Sequence, residues 1–518
     1  MNLESIEKNW DMVIVGGGVT GAGIFRESVQ SGFKTLLIEQ KDFAWGTSSR
    51  SSKLVHGGLR YLKEGNFVLT RESVKERERL IREAAGLVHP LEFHLPIYRG
   101  QSPGVWTMKM GLMIYDLISG KWRHRYYGKN AFLKIEPFVA ASDLIGGFAF
   151  SDAQVDDARL VLRLIHDSER LGGLALNYIR AIRLARDRNR DVCGIVLEDT
   201  ESRETVCVNT RLVINATGVW AEELQPSPEK NRHLRPLRGS HLVFPKKSIP
   251  IETAVSFFSP RDGRQQFAIP WEGAVLLGTT DIDHEKPLCQ EPSATKAEVE
   301  YLLEGVSHIF PSLKLTLADA VSSFAGVRPV VSAGKVSADK ESREHVIWKD
   351  RGLVTVTGGK LTTFRILAQS ALRAATDYLP GKQLTMSRKP LFEPWIPSSV
   401  PAGLSMEACR ALWGRYGRET SKMLSNASPG YLDVIPGTHT IWAELPYAAS
   451  CEKIRHLDDL LLRRVRIGLL LSEGGREYLN RIRSLCQPVM TWSDAMWDKE
   501  IEIYMNMWKA WYSPWRSS

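Results

Sequence analysis

The chain has 518 residues, too long for one ordinary hydrophobic core, and its length predicts about three domains. Its 68 lysines and arginines against 59 aspartates and glutamates give a net charge of +9, a modest excess that suits an anionic substrate or surface, and no basic block points to nucleic acid. No stretch approaches the ~20 uninterrupted apolar residues of a membrane span, the first ten residues carry no apolar leader core, and the six cysteines lack metal-ligand spacing. The expectation is a cytoplasmic chain without zinc or disulfides, whose membrane contact is peripheral or monotopic.

In chain order, the apolar run Met12–Val15 leads straight into Gly16-Gly17-Gly18-Val19-Thr20-Gly21 and a helical stretch, and a second apolar run, 34–38, ends on Glu39. This is the pattern of a βαβ unit holding a dinucleotide. Gly16 makes the tight turn, Gly18 lets a pyrophosphate approach the backbone, Gly21 lets helix and strand pack, and Glu39 stands where an adenosine ribose is hydrogen-bonded. Residues 43–58, rich in serine and glycine, read as an ordered loop over the cofactor. A charged helix is expected at 70–85, broken afterwards by Pro90, Pro96 and Pro103, and another at 155–171.

The run 211–218 reads as a buried strand ending in a small-residue turn. Between 238 and 281 come short strand-like runs with a hairpin signal at Glu272-Gly273, and Leu353–Thr357 is a further strand ending in Gly358-Gly359-Lys360. Beyond Pro390 the pattern turns helical, including 456–471 and a tryptophan-dense tail. The fold class is therefore α/β, with three parts. A discontinuous Rossmann-like dinucleotide domain takes 11–75, 152–222 and 348–385. A mixed or antiparallel-sheet substrate domain takes 76–151 and 223–347, and a C-terminal helical cap takes 390–518.

Several blocks are far more specific than the glycine pattern: 16–23, Thr47-Ser48-Ser49, Ser52-Lys53-Leu54-Val55-His56-Gly57-Gly58-Leu59-Arg60-Tyr61-Leu62, Val155-Asp156-Asp157-Ala158-Arg159, Asn215-Ala216-Thr217-Gly218, Gly278-Thr279-Thr280-Asp281, Gly326-Val327-Arg328-Pro329, Gly358-Gly359-Lys360-Leu361-Thr362-Thr363, and, in the cap, 457–460 and 463–466. Together they closely resemble the FAD-dependent glycerol-3-phosphate dehydrogenases. The resemblance implies FAD as cofactor, sn-glycerol 3-phosphate as substrate and oxidation to dihydroxyacetone phosphate by hydride transfer from C2 to flavin N5. Electrons then pass to a membrane quinone.

It also implies roles for residues. Arg60, Arg328 and Arg343, with Tyr61 beside them, would hold phosphate and orient substrate, as guanidinium forks suit that anion. His56 and Lys360 are both candidates to take the hydroxyl proton, and the sequence leaves the choice open. Beside Gly16, Gly18, Gly21 and Glu39, the cofactor set comprises Thr47, Ser48, Ser49, Lys53, His56, Gly57, Ala216, Thr217, Gly218, Gly326, Gly359, Lys360 and Thr362. No residue is assigned to a metal. His241 is a lesser candidate, more often structural in such a setting.

Quinone reduction calls for contact with a bilayer. One amphipathic candidate is 105–127, with Trp106, Met110 and Leu117 beside Lys121, Arg123 and Arg125, suited to an anionic lipid interface at the cytoplasmic face of the membrane. A second is the tail, where Trp497, Ile501, Tyr504, Trp508, Trp511 and Trp515 recur at helical spacing, a stripe better suited to packing on a helical core; a homodimer surface is the alternative. The rival functions are an oxidase of the same fold that uses oxygen, a flavoenzyme for another hydroxy acid or amine, and a non-catalytic flavoprotein.

Overall fold

The computed structural model describes residues 3–59, 62, 65–224, 234–332, 345–379 and, with short breaks, 384–514. Its first unit is a six-stranded sheet in the order Val346–Asp350, Leu353–Thr357, Val213–Asn215, Met12–Val15, Thr35–Glu39, Leu174–Asn177. All neighbours run parallel except the first pair. The apolar run at 12–15 is explained by burial on both faces. Met12 and Ile14 pack with the helices Val19–Gln30, Asp157–Glu169 and Phe364–Ala375, while Val13 and Val15 pack with a three-stranded sheet formed by Ile179–Arg186, Val192–Asp199 and Thr205–Asn209.

The second unit is a ten-stranded mixed sheet. Its path runs through Ile282–Asp283, Leu234–Pro245, Ala274–Gly278, Gln265–Trp271, Ala254–Phe258, Val88–Tyr98, Leu144–Val155 and Leu54–Val55, and Ser322–Val331 and Arg125–Gly128 pair onto it. The hairpin expected at Glu272-Gly273 is present, with φ of 49° and 87° at the two turn residues, as a two-residue turn between twisted strands requires.

Some boundaries differ from the expected ones. Pro90 and Pro96 do not break the pattern but lie inside the strand Val88–Tyr98, away from Phe93 and His94, where Ala254–Phe258 pairs on the second side. With a neighbour on one side only, a proline's missing N–H need not interrupt a ladder. The helix expected from 155 begins at Asp157, because Val155 still pairs with Val88 and Asp156 is the N-cap, accepting the Arg159 amide at 3.1 Å. The loop 43–58 contains a 3-10 turn, Thr47–Ser49, and the short strand Leu54–Val55.

The C-terminal helices pack on the larger sheet. Trp442, Leu460, Trp497, Tyr504 and Trp508 share one apolar cluster with Leu95, Phe148 and Leu276, so the described part of the tail's aromatic stripe faces the core. Trp515 lies outside the described residues. The helix expected over 456–471 is instead a π turn, Asp459–Arg464, followed by the short helix Ile467–Leu470, with Arg466 at φ 60° between them. At 100° per residue a regular helix would spread Arg463, Arg464 and Arg466 around its circumference, yet all three are buried.

Candidate active site

The glycine turn is packed without slack. Gly16 has φ 115°, and a Cβ on it would stand 2.5 Å from the carbonyl oxygen of Ala216; a Cβ on Gly21 would stand 1.8 Å from that of Gly16. The helix Val19–Gln30 starts from Gly18 without a side-chain cap, so its first turn presents backbone N–H groups to an anion. The amide of Val19 donates to Ser48 Oγ at 2.9 Å. Glu39 accepts the amides of Gly17 at 2.8 Å and Lys41 at 3.0 Å. Burial raises its pKa, while those two amides pull the other way.

In front of this turn lies a cavity of about 1340 Å³. That exceeds the ~1,000 Å³ upper end of ordinary small-ligand pockets, as a dinucleotide and a substrate together require. Of the expected residues, Gly16, Gly18, Glu39, Thr47, Ser48, His56, Ala216, Thr217, Gly218, Gly326, Arg328, Gly359, Lys360 and Thr362 all line it. Hydrogen bonds from distant segments bring them together: Thr47 Oγ1 donates to the carbonyl of Val327, Thr357 Oγ1 to that of Gly218 at 3.0 Å, and Thr362 Oγ1 to that of His56 at 3.4 Å. Arg60, Tyr61 and Arg343 lie outside the described residues.

Four expected cofactor residues stand behind the wall. Gly21 packs beneath the turn. Ser49 is buried, and its carbonyl accepts Lys53 Nζ at 2.5 Å. Gly57 donates its amide to Asp152 at 2.9 Å, and a Cβ there would strike Tyr115 Oη at 2.1 Å. Lys53 is fully buried, its Nζ 2.8 and 2.9 Å from the two carboxylate oxygens of Asp157, which also accepts Ser51 Oγ at 2.7 Å. Burial pushes the Lys53 ammonium down to about 8 against the pull of Asp157. Lys53 fastens the loop to the helix Asp157–Glu169 and does not line the cavity.

Arg50, Arg180, Arg264 and Arg328 line the cavity, and the last two meet at Asp281. Arg328 donates to Asp281 Oδ1 at 2.8 Å and to Thr279 Oγ1 at 3.2 Å. Arg264, which the sequence reading missed, also lines the cavity and donates to the carbonyl of Asp281 at 3.2 Å. Its only local signal was its place at the tip of a hairpin. His56 and Lys360 complete this set, Lys360 immediately before the turn Leu361–Thr363 that opens the helix Phe364–Ala375. His241 does not reach the cavity. It is stacked on Phe324 with ring centroids 4.7 Å apart and meets Ser52 Oγ through Nε2 at 2.9 Å. Burial first, then Arg328 and Lys53, hold its pKa well below the ordinary value, so it is neutral.

A backbone cradle for a pyrophosphate, an acid placed for a ribose, and titratable and cationic groups in the same cavity define a dinucleotide-dependent oxidoreductase. Residues 11–368 match the family described as FAD dependent oxidoreductase, and residues 355–496 match the C-terminal domain of alpha-glycerophosphate oxidase. The chain is 33% identical over 484 residues to the aerobic glycerol-3-phosphate dehydrogenase of Staphylococcus saprophyticus, covering 88% of this chain and 87% of that one. It is 31% identical over 528 residues to that of Staphylococcus aureus, covering 96% and 92%. Among solved structures, the glycerol-3-phosphate dehydrogenase from Bacillus halodurans complexed with FAD superposes with a TM-score of 0.74 at 26% identity, over 97% of this chain and 96% of that one. The chain belongs to the FAD-dependent glycerol-3-phosphate dehydrogenases. FAD is its cofactor, and Gly18 on the cavity wall, the helix start without a side-chain cap from Gly18 and Glu39 fit that group.

Proposed function

We propose that the protein oxidises sn-glycerol 3-phosphate to dihydroxyacetone phosphate and passes the electrons to a membrane quinone. The observation that carries the reading is Arg328, a guanidinium that opens into the cavity of the glycine turn and is aimed by Asp281 and Thr279. A permanently ionised fork holds a phosphate and thereby fixes which carbon faces the cofactor. When bound, FAD supplies the two-electron acceptor for the hydride of C2. His56 or Lys360, both on the cavity wall, takes the hydroxyl proton.

The acceptor side rests on a different set of residues. Leu59, Phe67, Met108, Gly111 and Ile114 give the cavity an apolar wall. The helix Val105–Ser119 that supplies the last three turns Trp106 and Leu117 outward, 77% and 76% exposed, and Lys109, Lys121, Arg123 and Arg125 lie on or just after it. An apolar face rimmed by cations suits an anionic lipid surface, and peripheral attachment at the cytoplasmic face would bring a lipophilic quinone beside this wall. Among the described residues no helix is long and apolar enough to cross a membrane.

The test is the flavin spectrum of the purified holoenzyme under anaerobic conditions. Bleaching by sn-glycerol 3-phosphate, reversed quickly by a quinone analogue and slowly by oxygen, is expected. Fast reversal by oxygen would make the protein an oxidase, and absence of bleaching would remove the substrate assignment. For attachment, vesicles with anionic lipid should retain the protein and release it in part at high salt, and Trp106→Ser with Leu117→Ser should abolish retention. Equal retention of that variant would move the membrane contact elsewhere.

A further inference from the structure

We propose that Arg264 is a second phosphate-holding residue of the substrate site, coupled to Arg328 through Asp281. The inference rests on the reading of the substrate as a phosphate monoester and adds a residue that neither the motif blocks nor the resemblance assigns.

The backbone around Arg264 is fixed. The hairpin tip is closed by the Ser259 amide donating to the carbonyl of Arg264 at 2.8 Å and the Gly263 amide donating to that of Ser259 at 2.9 Å. It is tied to the helix Lys296–Ile309 by Tyr301 Oη on Asp262 at 2.9 Å and by the pair Arg261–Glu304. From that anchored tip, Asp262, Gly263, Arg264 and Gln265 all contribute to the cavity wall.

The two guanidiniums meet at one carboxylate. Asp281 is nearly buried, and its carboxylate serves both guanidiniums, Arg328 at 2.8 Å and Arg264 Nη1 at 3.5 Å. Asp262 is a further 3.9 Å from Arg264 Nε, and it is already engaged by Tyr301 and by the Arg264 amide. Arg264 spends Nη1 on Asp281, and among the described residues nothing takes Nη2. One carboxylate thus orients two cations that stay charged at every relevant pH, and a phosphate carrying up to two negative charges is the complement. A phosphate has oxygens enough to accept from both guanidiniums at once, which an unphosphorylated alcohol does not, so the pair favours the phosphorylated substrate.

The experiment compares wild type, Arg264→Gln and Arg264→Lys by stopped-flow reduction of the holoenzyme flavin with sn-glycerol 3-phosphate. Arg264→Gln should raise the half-saturating concentration about tenfold or more, the loss of one charge-assisted contact, while the limiting reduction rate stays within about threefold. Arg264→Lys should recover part of the affinity, because it restores charge without the fork. A role in holding the hairpin would instead lower the melting temperature and the limiting rate together and would not respond to lysine. An unchanged half-saturating concentration in Arg264→Gln overturns the proposal while leaving the substrate reading intact. If wild type is not reduced at all, the substrate reading fails, and inorganic phosphate becomes the probe. A melting-temperature rise with phosphate that Arg264→Gln lacks would keep the anion site, and equal shifts would remove it.

Discussion

The glycine turn and the C-terminal helical domain both grip the loop 40–53, by different means. On the turn's side the contacts are made by backbone groups: Ala44 donates to the carbonyl of Gly17 at 3.0 Å, the Gly17 amide donates to the Glu39 carboxylate, and Gly21 leaves no room over Gly16. On the C-terminal domain's side long side chains cross from one domain to another. Arg463 and Arg464 converge on Asp42, and Arg466 reaches Asp156 at 2.7 Å and Asp157 as well. Burial works against the Asp42 carboxylate, yet Arg464 and Arg463 hold its pKa below the usual range. Among the described residues the C-terminal domain gives the cavity no lining residue, but it carries the arginines that fix the loop on which Thr47, Ser48 and Ser52 stand. A backbone contact has no second partner to fall back on, whereas an ionic cluster keeps part of its hold when one member is lost.

The largest effect should therefore come from the smallest change. Gly21→Val places a side chain within 1.8 Å of a backbone carbonyl, which must shift the helix off the strand at about 3 kcal/mol or more. The protein should emerge from gel filtration without flavin absorbance, even if it is folded by circular dichroism. A full complement of FAD in this variant would show that the turn has slack. Next comes Arg464→Met, which takes one of two guanidiniums from a buried carboxylate. Breaking a buried pair costs about 3 kcal/mol, the low end of the usual range because Arg463 remains on Asp42. Urea unfolding should register that loss while the flavin content stays near that of wild type. If Arg464→Met loses FAD as completely as Gly21→Val, the contrast between the two grips is wrong.

The same contrast explains how much could be read in advance. The glycine turn, its two strands and Glu39 fall within 30 residues of one another, so spacing alone conveys their geometry. The turn at Glu272-Gly273 and the packing of Trp497, Tyr504 and Trp508 are legible for the same reason, since each depends on a local period. The π turn at 459–464 has the sequence pattern of plain helix because its arginines answer to Asp42, 421 and 422 positions away. The start of the helix at Asp157 is not legible locally, because Val155 belongs to a strand whose partner is Val88. Lys53 shows a different limit. A motif marks residues that serve a cofactor loop without separating those that touch the ligand from those that, like Lys53 on Asp157, hold the loop from behind.

The weakest expected effect probes the outer rim of the C-terminal grip, where His456 lies between Glu500, 3.1 Å from Nδ1, and Glu201, 2.9 Å from Nε2. The hydrogen bond to Glu500 outweighs burial and raises the imidazole to about 9. A histidine raised on folding stabilises the fold fully below its ordinary value near 6.5, and that contribution is lost as pH rises through about 9. Because the ring is about one-third open to solvent, screening leaves about 1 kcal/mol. His456→Gln should thus melt below wild type at pH 6, with the gap closing between pH 6.5 and about 9 and absent above it. A gap that widens with pH would mean that the neutral ring, and not the imidazolium, joins the C-terminal domain to the turn at Glu201.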